Sequence, residues 1–99
     1  MKLKISPFAE LDLHESIKFY NEQNEGLGQD FYQTIVSAFE RIKNNPGQFP
    51  KEYQEMKKVS IKRFPFLVFF EVKGDNCYIL GIFHSIRNPK IMKTRYKKT

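Results

Sequence analysis

The period of apolar positions along this chain changes twice. Leu3 and Ile5 alternate with Lys2 and Lys4, the two-residue rhythm of a half-exposed strand. Ser6-Pro7 then offers a hydroxyl N-cap followed by proline at the first helical position, so a helix is expected from Pro7. Ala9, Leu13, Ile17 and Tyr20 fall at helical spacing, Phe8 and Leu11 widen the stripe, and Asn24-Glu25-Gly26 ends it. The same spacing returns in Phe31, Ile35, Ala38 and Ile42, with Tyr32, Val36 and Phe39 alongside, until Asn44-Asn45-Pro46-Gly47 breaks it. The pattern predicts two antiparallel helices joined by a short turn containing Gly26 and Gly28. Neither is apolar all round, so the pair must lay its apolar side on another layer.

The second half supplies that layer. Val59 and Ile61 alternate with Lys58, Ser60 and Lys62. Two apolar, β-branched and aromatic runs follow, Phe66 to Val72 and Cys77 to Phe83, separated by Lys73-Gly74-Asp75-Asn76. The expected architecture is α+β, in the order β-αα-βββ, with a helical hairpin on one face of a small antiparallel sheet. Tyr78 to Phe83 has almost no polar face and is expected to be the most central strand. Residues 1–99 form one domain on this reading, with residues 90–99 as a basic tail that makes one helical turn or frays. The opposite, lysine-bearing face of the sheet is expected to stay open to a target.

A chain of 99 residues with 40% hydrophobic residues and ten Phe is long enough to fill one small core. The single cysteine, Cys77, excludes an internal disulfide and leaves no Cys/His pairing for zinc, so no metal or cofactor is expected. No stretch approaches the length of apolar residues needed to span a bilayer, and a cytoplasmic location is the expectation. Charge changes the picture more. Residues 1–47 hold five basic side chains (Lys2, Lys4, Lys18, Arg41, Lys43) against seven acidic ones, whereas residues 56–99 hold eleven basic against Glu71 and Asp75 alone. This asymmetry suits either an anionic partner or a merely solvated lysine surface.

An ordered series of short motifs runs through these elements: Ala9, Asp12-Leu13 and Phe19-Tyr20; Leu27-Gly28-x-x-Phe31; Asn45-Pro46-x-x-Phe49-Pro50; Arg63-Phe64-Pro65-Phe66; and Ile82-Phe83-His84-x-x-Arg87-Asn88-Pro89. Together, from about residue 6 to 89, they resemble the RelE/ParE toxin superfamily of type II toxin–antitoxin systems. Each motif also has a structural task of its own, such as helix termination at Asn45-Pro46.

The resemblance implies a cognate antitoxin and one of two targets. RelE-like members cut messenger RNA on the ribosome with basic residues on the sheet, and ParE-like members poison DNA gyrase without a nuclease site. RNA cleavage needs a base for the 2′-hydroxyl and cations converging on the phosphate. Where the RNA-cutting relatives place an arginine, this chain reads Phe66-Leu67-Val68-Phe69-Phe70, and the tyrosine expected shortly after Arg87 is replaced by Ile91 and Met92. The chain therefore sits nearer the ParE-like branch. If it is RelE-like, Arg87, His84, Arg63 and Lys62 are the candidate catalytic residues.

Arg87, Lys90, Lys93, Arg95 and Tyr96 are the candidates for target binding, with Lys97 and Lys98 extending the basic run. The alternative for Arg87 is a salt bridge to Glu71 or Asp75, and for His84 a backbone cap. Phe19, Tyr32, Val36 and Phe39 lie beside the main helical stripes and are the candidate antitoxin-docking surface, or else ordinary core edge. Glu10, Asp12 and Glu15 are assigned only a favourable place near a helix N-terminus. A homo-oligomer or a heteromer with the antitoxin is compatible with this reading.

Overall fold

A computed structural model describes residues 1–97. Its order is β1 (Lys2–Ile5), α1 (Pro7–Gln23), α2 (Leu27–Asn44), a 3-10 turn (Pro46–Gln48), β2 (Lys51–Tyr53), β3 (Met56–Ser60), β4 (Phe66–Lys73), β5 (Asn76–His84) and α3 (Pro89–Lys97). The α+β class and the helical hairpin against the sheet are as the sequence pattern requires. The sheet is larger and mixed, with order β1-β5-β4-β3-β2. Strands β2 to β5 pair antiparallel, and β1 returns to lie parallel to β5, Leu3 opposite Cys77 and Ile5 opposite Ile79. This puts β4 at the centre with β5 beside it.

Local chemistry explains the helix boundaries. The Ser6 hydroxyl accepts a hydrogen bond from the Ala9 N–H at 3.1 Å, as an N-cap should. Gly26 adopts φ +86, which lets the chain turn straight from α1 into α2. Gly28 lies inside α2, where a Cβ would stand 2.5 Å from the backbone oxygen of Ile17. Only glycine lets the two helices cross this closely, and the Asn21 side chain fixes the crossing by accepting from the Gly28 N–H at 2.8 Å.

The main core fills the space between the hairpin and the sheet. Ala9, Leu13, Phe31, Ile35, Ala38, Phe39 and Ile42 of the helices meet Val59, Phe66, Val68, Phe70, Cys77, Ile79 and Ile82. Tyr20, Phe31, Phe64 and Phe66 form a linked set of rings with centroids 4.8–5.9 Å apart. Phe49 closes the core edge against Phe70. Two members of the predicted α1 stripe lie outside this layer, since Phe8 and Leu11 are 51% and 56% exposed. The buried face of α1 is narrower than its apolar composition.

A second cluster occupies the other face. Met56, Phe69, Leu80 and Phe83 are covered there by Met92 of α3, with Tyr53, Leu67, Tyr78 and Tyr96 around them. The C-terminal segment is thus a docked nine-residue helix rather than a single turn, and it closes part of the face expected to be open. Lys98 and Thr99 lie outside the described residues.

Phase between the faces is set by a β-bulge. Phe69 pairs with Gly81 and Phe70 with Ile79, leaving Leu80 as the extra residue of β5. Without that extra residue Leu80 and Phe83 would point to opposite sides; with it both face α3, while Ile79 and Ile82 face the hairpin. At Gly81 a Cβ would lie 2.7 Å from Met92 Sδ, so the glycine allows α3 its close approach.

Two outcomes follow. Gly28→Ala drives a methyl into backbone and lowers stability by about 1–3 kcal/mol, the usual cost of overpacking, read as a lower urea midpoint. Burial also pushes the Cys77 thiol up to about 11 from its ordinary value near 9. The unfolded chain releases that proton first. The contribution is therefore complete below pH 9 and is lost as pH rises to 11, so the urea midpoint falls across that window and falls less in Cys77→Ala.

Candidate functional site

Two backbone groups of β5 beside the bulge, past the last residue that β1 pairs, are bonded by side chains from the two helical layers. The Ile82 N–H donates to Asp12 Oδ2 at 3.0 Å. The Leu80 carbonyl accepts from Arg95 Nη1 at 3.2 Å. Arg95 and Asp12 are themselves joined, Nη1 to Oδ2 at 2.7 Å and Nη2 to Oδ1 at 3.4 Å, with side-chain exposures of 11% and 7%. One carboxylate from α1 and one guanidinium from α3 therefore clamp opposite faces of the sheet around the end of β5 that β1 does not cover.

Arg87 completes the group. Its Nη1 lies 3.7 Å from Asp12 Oδ1, and its guanidinium stacks over the Phe83 ring at 4.0 Å. Arg95 stands over the same ring at 4.8 Å and over Phe8 at 4.9 Å. Anchored at its base, Arg87 is still 41% exposed and reaches the solvent edge of a cleft.

That cleft, about 260 Å³, lies between β2–β3 and the start of α3. Met56, Leu67, Phe69 and Phe83 make its apolar floor. Lys58, His84, Arg87 and Lys93 stand around it, opposed by Glu52 alone. Glu52 holds Lys58 at 2.9 Å, and Lys93 Nζ lies 5.0 Å over the Tyr53 ring. His84 Nδ1 accepts the Ile86 N–H at 3.2 Å, which places the proton of the neutral ring on Nε2. The arrangement suits a partner with one apolar side chain to seat and anionic groups around it.

A sequence profile described as the ParE toxin of type II toxin-antitoxin systems, parDE, matches residues 3–89. The chain belongs to the ParE toxin family. The chain is also similar to a solved structure described as the chromosomal ParDE TA system from P. aeruginosa. The two share 26% identity at a TM-score of 0.76, over 85% of this chain and 95% of that one. No curated protein matches it.

This ParE-family chain does not assemble the four residues that RNA cleavage would use. His84 and Arg87 line the cleft, but Lys62 and Arg63 line a separate groove beside α2, where Arg63 pairs with Asp30 at 3.5 Å. Among the proposed target-binding residues, Lys90 and Lys93 are exposed. Arg95 and Tyr96 face inward: Arg95 pairs with Asp12, and the Tyr96 hydroxyl donates to the buried Glu71 at 2.7 Å, while burial, with that carboxylate beside it, raises its pKa. Both are half-buried and tie α3 to the rest of the fold. Arg87 pairs with Asp12 and with neither Glu71 nor Asp75.

On the hairpin, Phe19 and Tyr32 are exposed and Val36 is half-buried. Phe39, 8% exposed, belongs to the core, the alternative that its position beside the helical stripe left open. Phe19 shares a shallow depression with Glu15, Ser16, Phe66 and His84, not with Tyr32 or Val36. Asp12, expected only to favour the N-terminus of its helix, is instead the buried partner of the Ile82 N–H and Arg95. Its signal was present, because a carboxylate three residues after Ala9 and one before Leu13 sits on the apolar stripe of its helix, where a charge needs a partner.

Asp12→Asn keeps an acceptor for the Ile82 N–H but removes the buried negative charge that faces the Arg95 guanidinium. The expected loss is about 3–5 kcal/mol, measured by urea unfolding. A change below 1 kcal/mol is the result that removes Asp12 from its central place.

Proposed function

We propose that this chain is the growth-arresting toxin of a type II pair, acting in the cytoplasm by poisoning DNA gyrase through protein–protein contact and neutralised by a cognate antitoxin. The observation that carries the reading is the ParE family match over residues 3–89. The cleft supports action by contact. It offers an apolar seat under Arg87 and Lys93, with Lys90 on the same helix, and strand β4 presents Leu67 and Phe69 to it rather than a cation. Separation of Lys62 and Arg63 from His84 and Arg87 weighs against a phosphorane-stabilising set. For the antitoxin, the exposed Phe19 and Tyr32 and the half-buried Val36 are the proposed contacts on the hairpin.

Induction of this chain alone is expected to arrest growth, and co-expression of the adjacent open reading frame to relieve the arrest. Purified protein added to gyrase and supercoiled DNA is expected to accumulate cleaved DNA–gyrase complexes. Arg87→Ala and Lys93→Ala should each lower that yield by about tenfold, a loss of about 1.4 kcal/mol of contact. Codon-positioned cuts in messenger RNA with gyrase unaffected would reverse the assignment in favour of the RNA-cutting branch.

A further inference from the structure

The groove that receives Lys62 and Arg63 shares no lining residue with the Arg87 cleft. One wall is a stripe of α2 running from Asp30 through Thr34 and Ser37 to Arg41, about 16 Å at the helical rise. The other wall is the loop between β3 and β4, contributing Ile61, Lys62 and Arg63, and the space between measures about 330 Å³.

We propose that this groove binds the phosphate backbone of a nucleic acid, with Arg41, Lys62 and Arg63 as its cations. Three positive side chains face one carboxylate, Asp30. Arg41 spends one nitrogen on the Ser60 carbonyl at 2.9 Å, leaving further N–H groups of its fork for a ligand. Lys62 has no ion pair or hydrogen bond among the described residues. Concave walls with an excess of one sign focus potential more strongly than lysines on a convex helix.

The backbone adds an independent observation. Arg63 sits at φ +70, a conformation that a long L side chain adopts at a cost. Its neighbour Phe64 is driven into the core against Tyr20 and Phe31, and the loop is pinned by the Ile61 N–H donating to the Phe66 carbonyl at 3.2 Å. Packing therefore fixes the loop through Phe64, and glycine would suit position 63 better than arginine. The strain buys an outward guanidinium on the groove.

Phosphate fits this lining better than an acidic peptide. Gln33, Thr34 and Ser37 beside arginine forks are the side-chain types that contact phosphate and sugar oxygens. Ala38 and Ile61 line the groove but are themselves buried, 2% and 8% exposed.

The test uses the full chain and fluorescence anisotropy with labelled single-stranded and duplex oligonucleotides at 50 to 200 mM salt. Binding is expected at 50 mM and should weaken with salt. Lys62→Gln and Arg63→Gly should each weaken it about fivefold and flatten the log–log salt dependence by about one contact. Arg63→Gly also relieves the positive φ, so its melting temperature should hold or rise while binding falls, which separates the site from the fold. Equal binding by these variants and wild type, with loss in Lys90→Gln/Lys93→Gln, would overturn the proposal and move the contact to α3. Absence of oligonucleotide binding alongside capture of polyglutamate would overturn it in favour of an acidic protein segment.

Discussion

The Asp12 carboxylate is the point on which the two faces of this sheet depend. A strand can carry a bulge only where the backbone groups it frees find other partners, because an unsatisfied buried amide or carbonyl costs as much as a lost hydrogen bond. Here the bulge at Leu80 is what turns Leu80 and Phe83 toward α3, and the backbone groups beside it are met by Asp12 from one side and Arg95 from the other. The second apolar cluster, the docking of α3 and the presentation of Arg87 all follow from that exchange. The pair is buried, so its net stabilisation over an apolar replacement is small; its effect is to fix one arrangement among several.

Much of the fold was legible in the amino-acid pattern because periodicity reports burial on one face. The hairpin, its cap at Ser6 and the runs that became β4 and β5 could be read this way. What could not be read was pairing across distance. Lys2 to Ile5 reads as a strand, but nothing local says that it will lie parallel to β5. Lys51 to Tyr53 is too short and polar to announce a strand, and is held by its register with Lys57 and Met56.

The site was legible in the same partial way. Arg87 stood out because it follows an apolar strand, and it does reach a cleft. Residues adjacent in sequence to basic motifs were harder, since charge says nothing about direction. Arg95 and Tyr96 sit in the densest basic run, but face inward to Asp12 and Glu71, while Lys90 and Lys93 on the same helix face out. Helical phase separates the two pairs, and that phase is set by Met92 packing on Gly81. Lys62 and Arg63 were sent to the α2 side by the inward pull of Phe64.

The return of β1 to β5 bears on when this protein becomes a protein at all. The contacts that close the fold join residues 70 to 83 positions apart: Asp12 to Ile82, Ser6 to Leu80 and Asp12 to Arg95. None of them can form before residues 80, 82 and 95 have left the ribosome, and local hairpin structure alone leaves both apolar faces uncovered. The cleft therefore takes shape only after β5 and α3 have been made, well after the helical hairpin.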